Sequence, residues 1–167
     1  DNWVYLMQQK FYEEGNSIKL INSSVSGDTT GGGLGRLAKN LKKFKPDFVL
    51  IELGGNDALR GYSIKLIKSN LEKMIALIKQ NNSKVLLMQI RIPPNYGQKY
   101  MLAFEKIYKD LALNEEVYLL PFMLEEIGIN SELMQPDGIH PNKKAQSLIA
   151  KDVKKNIDKF LLINQSN

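Results

Sequence analysis

Four short stretches hold the residues able to do acid–base or electrophilic chemistry. They are Ser23-Ser24-Val25-Ser26-Gly27-Asp28-Thr29, Gly54-Gly55-Asn56-Asp57, Arg91-Ile92-Pro93-Pro94-Asn95-Tyr96 and Asp137-Gly138-Ile139-His140-Pro141. His140 is the one histidine. A lone histidine is most often structural or simply exposed. Here Asp137 lies three residues ahead of it, Gly138 lets the chain turn, and Pro141 stiffens the exit. An aspartate at that spacing can accept from one imidazole nitrogen. That fixes the tautomer and leaves the other nitrogen to act as a base. Turns are rich in aspartate, so the pair alone is weak evidence. Asn56 follows two glycines; it is either part of a plain turn or a side-chain amide aimed at a developing oxyanion, with the Gly27 N–H as a second donor. Asp57, Asp137 and His140 make a poor metal set, because only one imidazole is present and no ligand spacing recurs. No metal and no cofactor is expected.

The hydrophobic pattern shows what must position these stretches. Apolar residues at helical spacing predict helices over 3–14, 34–44, 63–80, 99–112 and 143–162. Short apolar runs predict strands over 18–22, 47–53, 84–90 and 117–120, and the near-continuous runs at 47–53 and 84–90 suit strands buried on both faces. Strand and helix alternate through short connections, which indicates an α/β domain: a three-layer α/β/α, flavodoxin-like arrangement around a mainly parallel sheet. The four polar stretches then fall at or beyond the carboxyl ends of the strands, where open α/β sheets bind ligands. A doubly wound domain usually opens on a strand. This chain opens on a helix, so a strand–loop unit is expected upstream of Asp1, and residues 1–167 are read as a single, N-terminally incomplete domain.

Composition narrows the function classes. The 167 residues are 43% hydrophobic and 25% charged, a globular balance that excludes a mainly disordered or collagenous chain. There is no cysteine, so a disulfide scaffold, a thiolate zinc site and a cysteine nucleophile are all excluded. The net charge of +5 rests partly on lysines at helical spacing (Lys39, Lys42, Lys43, Lys45; Lys151, Lys154, Lys155, Lys159). Without interleaved aromatics or a recognised module these read as solvated helix faces, not a nucleic-acid footprint. The longest apolar runs are about five or six residues, against the ~20 of a membrane helix. No leader is visible after Asp1, which leaves the compartment open.

Taken together, Gly27 in Val-Ser-Gly-Asp-Thr, Asn56 in Glu-Leu-Gly-Gly-Asn-Asp and Asp137/His140 in Asp-Gly-Ile-His-Pro resemble the second, third and fifth blocks of the SGNH (GDSL) hydrolases. The longer runs Gly-Gly-Asn-Asp-Ala-Leu-Arg-Gly, Leu-Leu-Met-Gln-Ile-Arg-Ile-Pro-Pro-Asn-Tyr-Gly and Leu-Leu-Pro-Phe are similar to the bacterial thioesterase/lysophospholipase/arylesterase subgroup. The resemblance spans about residues 3–160, and four ordered motifs at matching strand ends weigh far more than any one of them. It implies a serine hydrolase of small-molecule acyl esters or thioesters. His140 would be the base, Asp137 its orienting carboxylate, and Gly27 and Asn56 the oxyanion donors. Asp57, Leu59, Ile90, Ile92 and Tyr96 would border the acyl pocket. It also favours a bacterial periplasmic or secreted location.

The family's first block, Gly-Asp-Ser-Leu with the nucleophile, has no counterpart in residues 1–167 and would precede Asp1. Ser23, Ser24 and Ser26 lie on the second block and form no nucleophile elbow. The four retained site residues favour truncation or an incomplete record over a degenerate pseudoenzyme. A sheet without its first strand would expose edges, which predicts poor folding alone or self-association. Two other readings compete. One is a non-catalytic module that binds acyl ligands. The other is a dinucleotide site at Gly33-Leu34-Gly35-Arg36-Leu37-Ala38 with Glu52, disfavoured because the preceding strand ends about ten residues too early for a tight phosphate turn.

Overall fold

A computed structural model describes residues 2–165. Contacts within the chain divide it into two compact units, one formed by Ser23–Phe122 and the other by Asp1–Asn22 with Met123–Asn167.

The Ser23–Phe122 unit is built on three parallel strands in the order β1 (Phe48–Ile51), β2 (Lys84–Met88), β3 (Tyr118–Leu120). Ile51 pairs with Leu87, and Met88 with Leu120. Val85, Leu86, Leu87 and Met88 are all buried, as a continuous apolar run in a central parallel strand should be. Each crossover is a helix: α4 (Ile64–Gln80) joins β1 to β2, and α5 (Gln98–Asn114) joins β2 to β3. Ser63 caps α4 by accepting from the Leu66 N–H at 3.2 Å. Ile67, Leu71, Met74, Ile75 and Ile78 form its buried stripe, each such side chain adding about 1.5–3 kcal/mol on burial. On α5, Phe104 meets Tyr108 edge-to-face with ring centroids 5.4 Å apart, and the Tyr108 hydroxyl donates to the Leu53 carbonyl at 2.9 Å.

Helix α2 (Thr30–Phe44) packs on α4 and begins four residues before the expected start at 34. Gly31, Gly32 and Gly33 are poor helix formers, so the pattern conceals this turn. It forms because its free N–H groups find acceptors: Thr29 Oγ1 takes the Gly32 N–H at 3.3 Å, and Asp57 Oδ2 takes the Thr30 N–H at 2.8 Å. Gly33 also lets the helix lie close to the chain beyond β1, since a methyl there would sit 2.3 Å from Leu53 Cδ1. A second difference falls at 54–57, read as a loop: Gly55–Leu59 is a short helix, α3.

Glu52 follows β1, and no described residue donates to its carboxylate. Burial raises its pKa from 4.5 to about 7. The folded state therefore favours the neutral acid. Its contribution to stability is full below pH 4.5 and is lost as pH rises through about 7. Thermal melts from pH 4 to 8 should show Tm of the native sequence falling relative to Glu52→Gln across that window. A constant difference would show that Glu52 does not titrate there.

In the other unit, α1 (Trp3–Glu13) packs on α6 (Ala145–Gln165). Asn2 caps α1 through the Tyr5 N–H at 3.0 Å. Met7 and Phe11 are buried on α1, and Ile149, Val153, Ile157 and Phe160 on α6. Lys154 ties the pair together: its ammonium lies 2.6 Å from Glu14, 2.9 Å from Asp158 and 4.7 Å from the Phe11 ring centroid.

The expected strand at 18–22 is not a strand. Its peptide groups turn to a side chain instead: Gln8 Nε2 donates to the Ile18 carbonyl at 2.9 Å, and Gln8 Oε1 accepts the Leu20 N–H at 2.6 Å. Among the described residues no strand pairs with it, and without a ladder an apolar run stays an extended segment.

Candidate active site

Within the Ser23–Phe122 unit, the loop leading into α2 and the short helix α3 come together. Gly27 occupies the third position of a turn closed by the Asp28 N–H on the Val25 carbonyl, 3.2 Å. Its φ of +74° is the left-handed conformation that a type II turn requires there, and glycine adopts it without strain. Gly27 is exposed, and its N–H donates to no described residue. Asp28 pairs with Arg36, and its Oδ1 accepts the Thr29 N–H at 2.8 Å.

Asn56 sits in the first turn of α3, half-buried, and its side-chain amide has no partner among the described residues. Its neighbour Asp57 is 1% exposed. Both of that carboxylate's oxygens are engaged, Oδ2 by the Thr30 N–H at 2.8 Å and Oδ1 by the Thr30 hydroxyl at 2.5 Å; Asn70 Nδ2 donates to the same hydroxyl at 3.0 Å. Arg60, at the end of α3, donates from Nη2 to the Gly27 carbonyl at 3.0 Å. The two unpartnered donors, Gly27 N–H and the Asn56 amide, thus belong to segments held together by these bonds.

The remaining residues expected around an acyl pocket lie in the same unit. Leu59 and Tyr96 are half-buried, and the Tyr96 hydroxyl donates to the Leu59 carbonyl at 3.2 Å. Tyr100 holds the next stretch through the Tyr62 carbonyl at 2.5 Å. Ile90 and Ile92 are buried beyond β2. Sequence reasoning passed over Thr30, Asn70 and Arg60, because their partners lie 27 to 40 residues away and no local pattern marks them.

In the Asp1–Asn22/Met123–Asn167 unit, Asp137 and His140 form a compact turn. Asp137 Oδ1 accepts the N–H of Ile139 and of His140, each at 3.0 Å, and Oδ2 lies 2.7 Å from His140 Nδ1. Gly138 has a φ of +68° at the bend, and Pro141 bridges back to Met134. The bonds from the His140 backbone and ring, with that from Ile139, lower the Asp137 pKa from 3.8 to about 2. Its stabilising effect is therefore complete above 3.8 and fades as pH falls through about 2. An ionised carboxylate on Nδ1 places the ring proton there and leaves Nε2 as the free base. The His140 side chain is 64% exposed, so Nε2 is open to a reactant.

Among the described residues, no three His, Asp or Glu side chains gather as a metal-holding group, and no helix is long and apolar enough to cross a membrane.

Known proteins resemble this chain over most of its length. The profile of the GDSL-like lipase/acylhydrolase family matches residues 1–148. An arylesterase of Vibrio mimicus is 48% identical over 160 residues, covering 96% of this chain and 80% of that protein. The thioesterase 1/protease 1/lysophospholipase L1 of Escherichia coli is 45% identical over 148 residues, covering 89% and 70%. Among solved structures, the psychrotrophic esterase EstA from Pseudoalteromonas sp., described as inhibited by monoethylphosphonate, superposes with a TM-score of 0.94 at 42% identity, covering 96% of this chain and 87% of that one.

Proposed function

This chain belongs to the GDSL-like lipase/acylhydrolase family, and from that membership we propose that it hydrolyses small-molecule acyl esters or thioesters through a serine acyl-enzyme. The observation that carries the chemistry is the Asp137–His140 pair, an imidazole fixed at Nδ1 with its other nitrogen free. The attacking hydroxyl is that of the family's Gly-Asp-Ser-Leu block, which residues 1–167 do not contain.

As the serine oxygen bonds to the acyl carbon, His140 Nε2 takes its proton. The carbonyl π electrons move to oxygen, and the Gly27 N–H and the Asn56 amide donate to that oxyanion. When the tetrahedral intermediate collapses, the bond to the alcohol or thiol breaks and His140 returns its proton to the leaving group. Water repeats the sequence on the acyl-enzyme and releases the free acid and the serine. Asp137 keeps the imidazolium oriented and offsets its charge, and is not itself protonated. The half-buried Leu59 and Tyr96 supply apolar surface for the acyl chain, with the buried Ile90 and Ile92 lying beyond β2 in the same unit.

The test is pre-steady-state hydrolysis of p-nitrophenyl butyrate and of a fatty acyl-CoA by the nucleophile-bearing protein. A burst of one product equivalent followed by slower turnover is expected. Tight binding of a fatty acid with no turnover of either substrate would make it an acyl-binding module instead.

A further inference from the structure

Resting on that reading, we infer that Arg60 is a positioning residue, setting the Gly27 N–H at a fixed place relative to the Asn56 amide. Glycine has the widest conformational freedom of any residue, so a donor carried on Gly27 is poorly located unless something outside it holds the backbone. The turn bond from Asp28 to Val25 closes the loop from within. Arg60 fixes it from outside, through the Gly27 carbonyl on the far side of the same Cα.

The anchor is not an arbitrary one. Arg60 ends the helix whose first turn carries Asn56, and its own N–H bonds the Asn56 carbonyl at 3.2 Å. Asp57 makes a second strut from the same helix to Thr30, three residues beyond Gly27. The two struts clasp the loop on either side of Asp28 and Thr29. A guanidinium presents several donors in a rigid plane, whereas a lysine at this position would offer only a mobile point charge.

The donor pair acts on one oxygen, and a misplacement of 1 Å can cost about 10²-fold in rate. Loosening one donor without deleting it should cost less. In the enzyme, Arg60→Met is expected to lower kcat for p-nitrophenyl butyrate about tenfold, with KM and Tm unchanged. Arg60→Lys should recover little of the loss, and methylguanidine added to Arg60→Ala should restore part of kcat. Combined with Asn56→Ala, the same Arg60→Met change should still lower kcat about fivefold or more, because the Gly27 N–H is then the sole remaining oxyanion donor. NMR nitrogen relaxation should show the Gly27 amide gaining mobility in Arg60→Met.

A kcat within about twofold of the native value, no loss in the Asn56→Ala background, a change confined to KM, or an unaltered Gly27 amide would each overturn the inference. His140→Ala in the same assay separates this from the functional reading. If it turns over normally, the hydrolase mechanism is wrong. If it is inactive while Arg60→Met is native-like, only the role of Arg60 is wrong.

Discussion

His140→Ala is expected to lower kcat for p-nitrophenyl butyrate by about 10⁴-fold or more, with KM little changed, because the serine loses its only base and the leaving group its only acid. In the proposed mechanism the same histidine serves both half-reactions, so neither acylation nor deacylation escapes. Imidazole added to the solution should restore only a small part of the rate, since it arrives without the orientation Asp137 provides. Asp137→Asn tests that orientation separately. An asparagine amide can place its NH₂ toward Nδ1, which favours the tautomer with the proton on Nε2 and removes the base. A loss of about 10²–10⁴-fold in kcat is expected, from a change of one atom in the side chain. The pair also has a defined acid range. Three hydrogen bonds hold the Asp137 carboxyl ionised down to about 2, so the acid fall in kcat/KM cannot come from its protonation at any ordinary assay pH. Steady-state pH profiles of the native enzyme and His140→Ala check this. Residual activity in His140→Ala above about one tenth of native would remove the imidazole from the mechanism.

Asn56→Ala is expected to reduce kcat by about 10²–10³-fold, with KM within about twofold of native, as for loss of one oxyanion-hole donor. In the proposed mechanism the Asn56 amide binds the negatively charged oxygen of the tetrahedral state far better than the neutral carbonyl, so its removal raises the barrier and leaves substrate binding alone. Affinity for a phosphonate that mimics the tetrahedral state should fall in step with kcat, while affinity for the carboxylic acid product should hold. Stability should change little, because the Asn56 side chain supports no other described residue. A rise in KM at constant kcat would place Asn56 in substrate binding and end its assignment as an oxyanion donor.

These residues differ in how far a reader of the sequence could have reached them. The Asp137–His140 contact closes within a four-residue turn, so the spacing allowed it and the accompanying motifs singled it out, and the structure places Oδ2 2.7 Å from Nδ1. The central strand Lys84–Met88 was equally legible, because burial on both faces demands an unbroken apolar run. The helix Ile64–Gln80 shows its buried stripe in the sequence itself, whereas its Ser63 cap was read as part of the helix. Family membership was legible too, since it rests on short ordered motifs.

What the chain could not announce were the features made by pairs distant in sequence. An extended run is a strand only when a neighbour supplies the ladder. Residues 18–22 have the right side chains, but Ile18 and Leu20 bond to Gln8 instead. Thr30–Gly33 is helical although three of its four residues are glycine, because a carboxylate 27 residues away takes the first free N–H. Arg60 reaches Gly27 across 33 residues. Local periodicity and turn chemistry are written in neighbouring residues, and the sequence by itself determined those. Which distant polar group satisfies a helix end, a glycine carbonyl or an unpaired strand depends on how the backbone folds back on itself, and only the tertiary structure decided that.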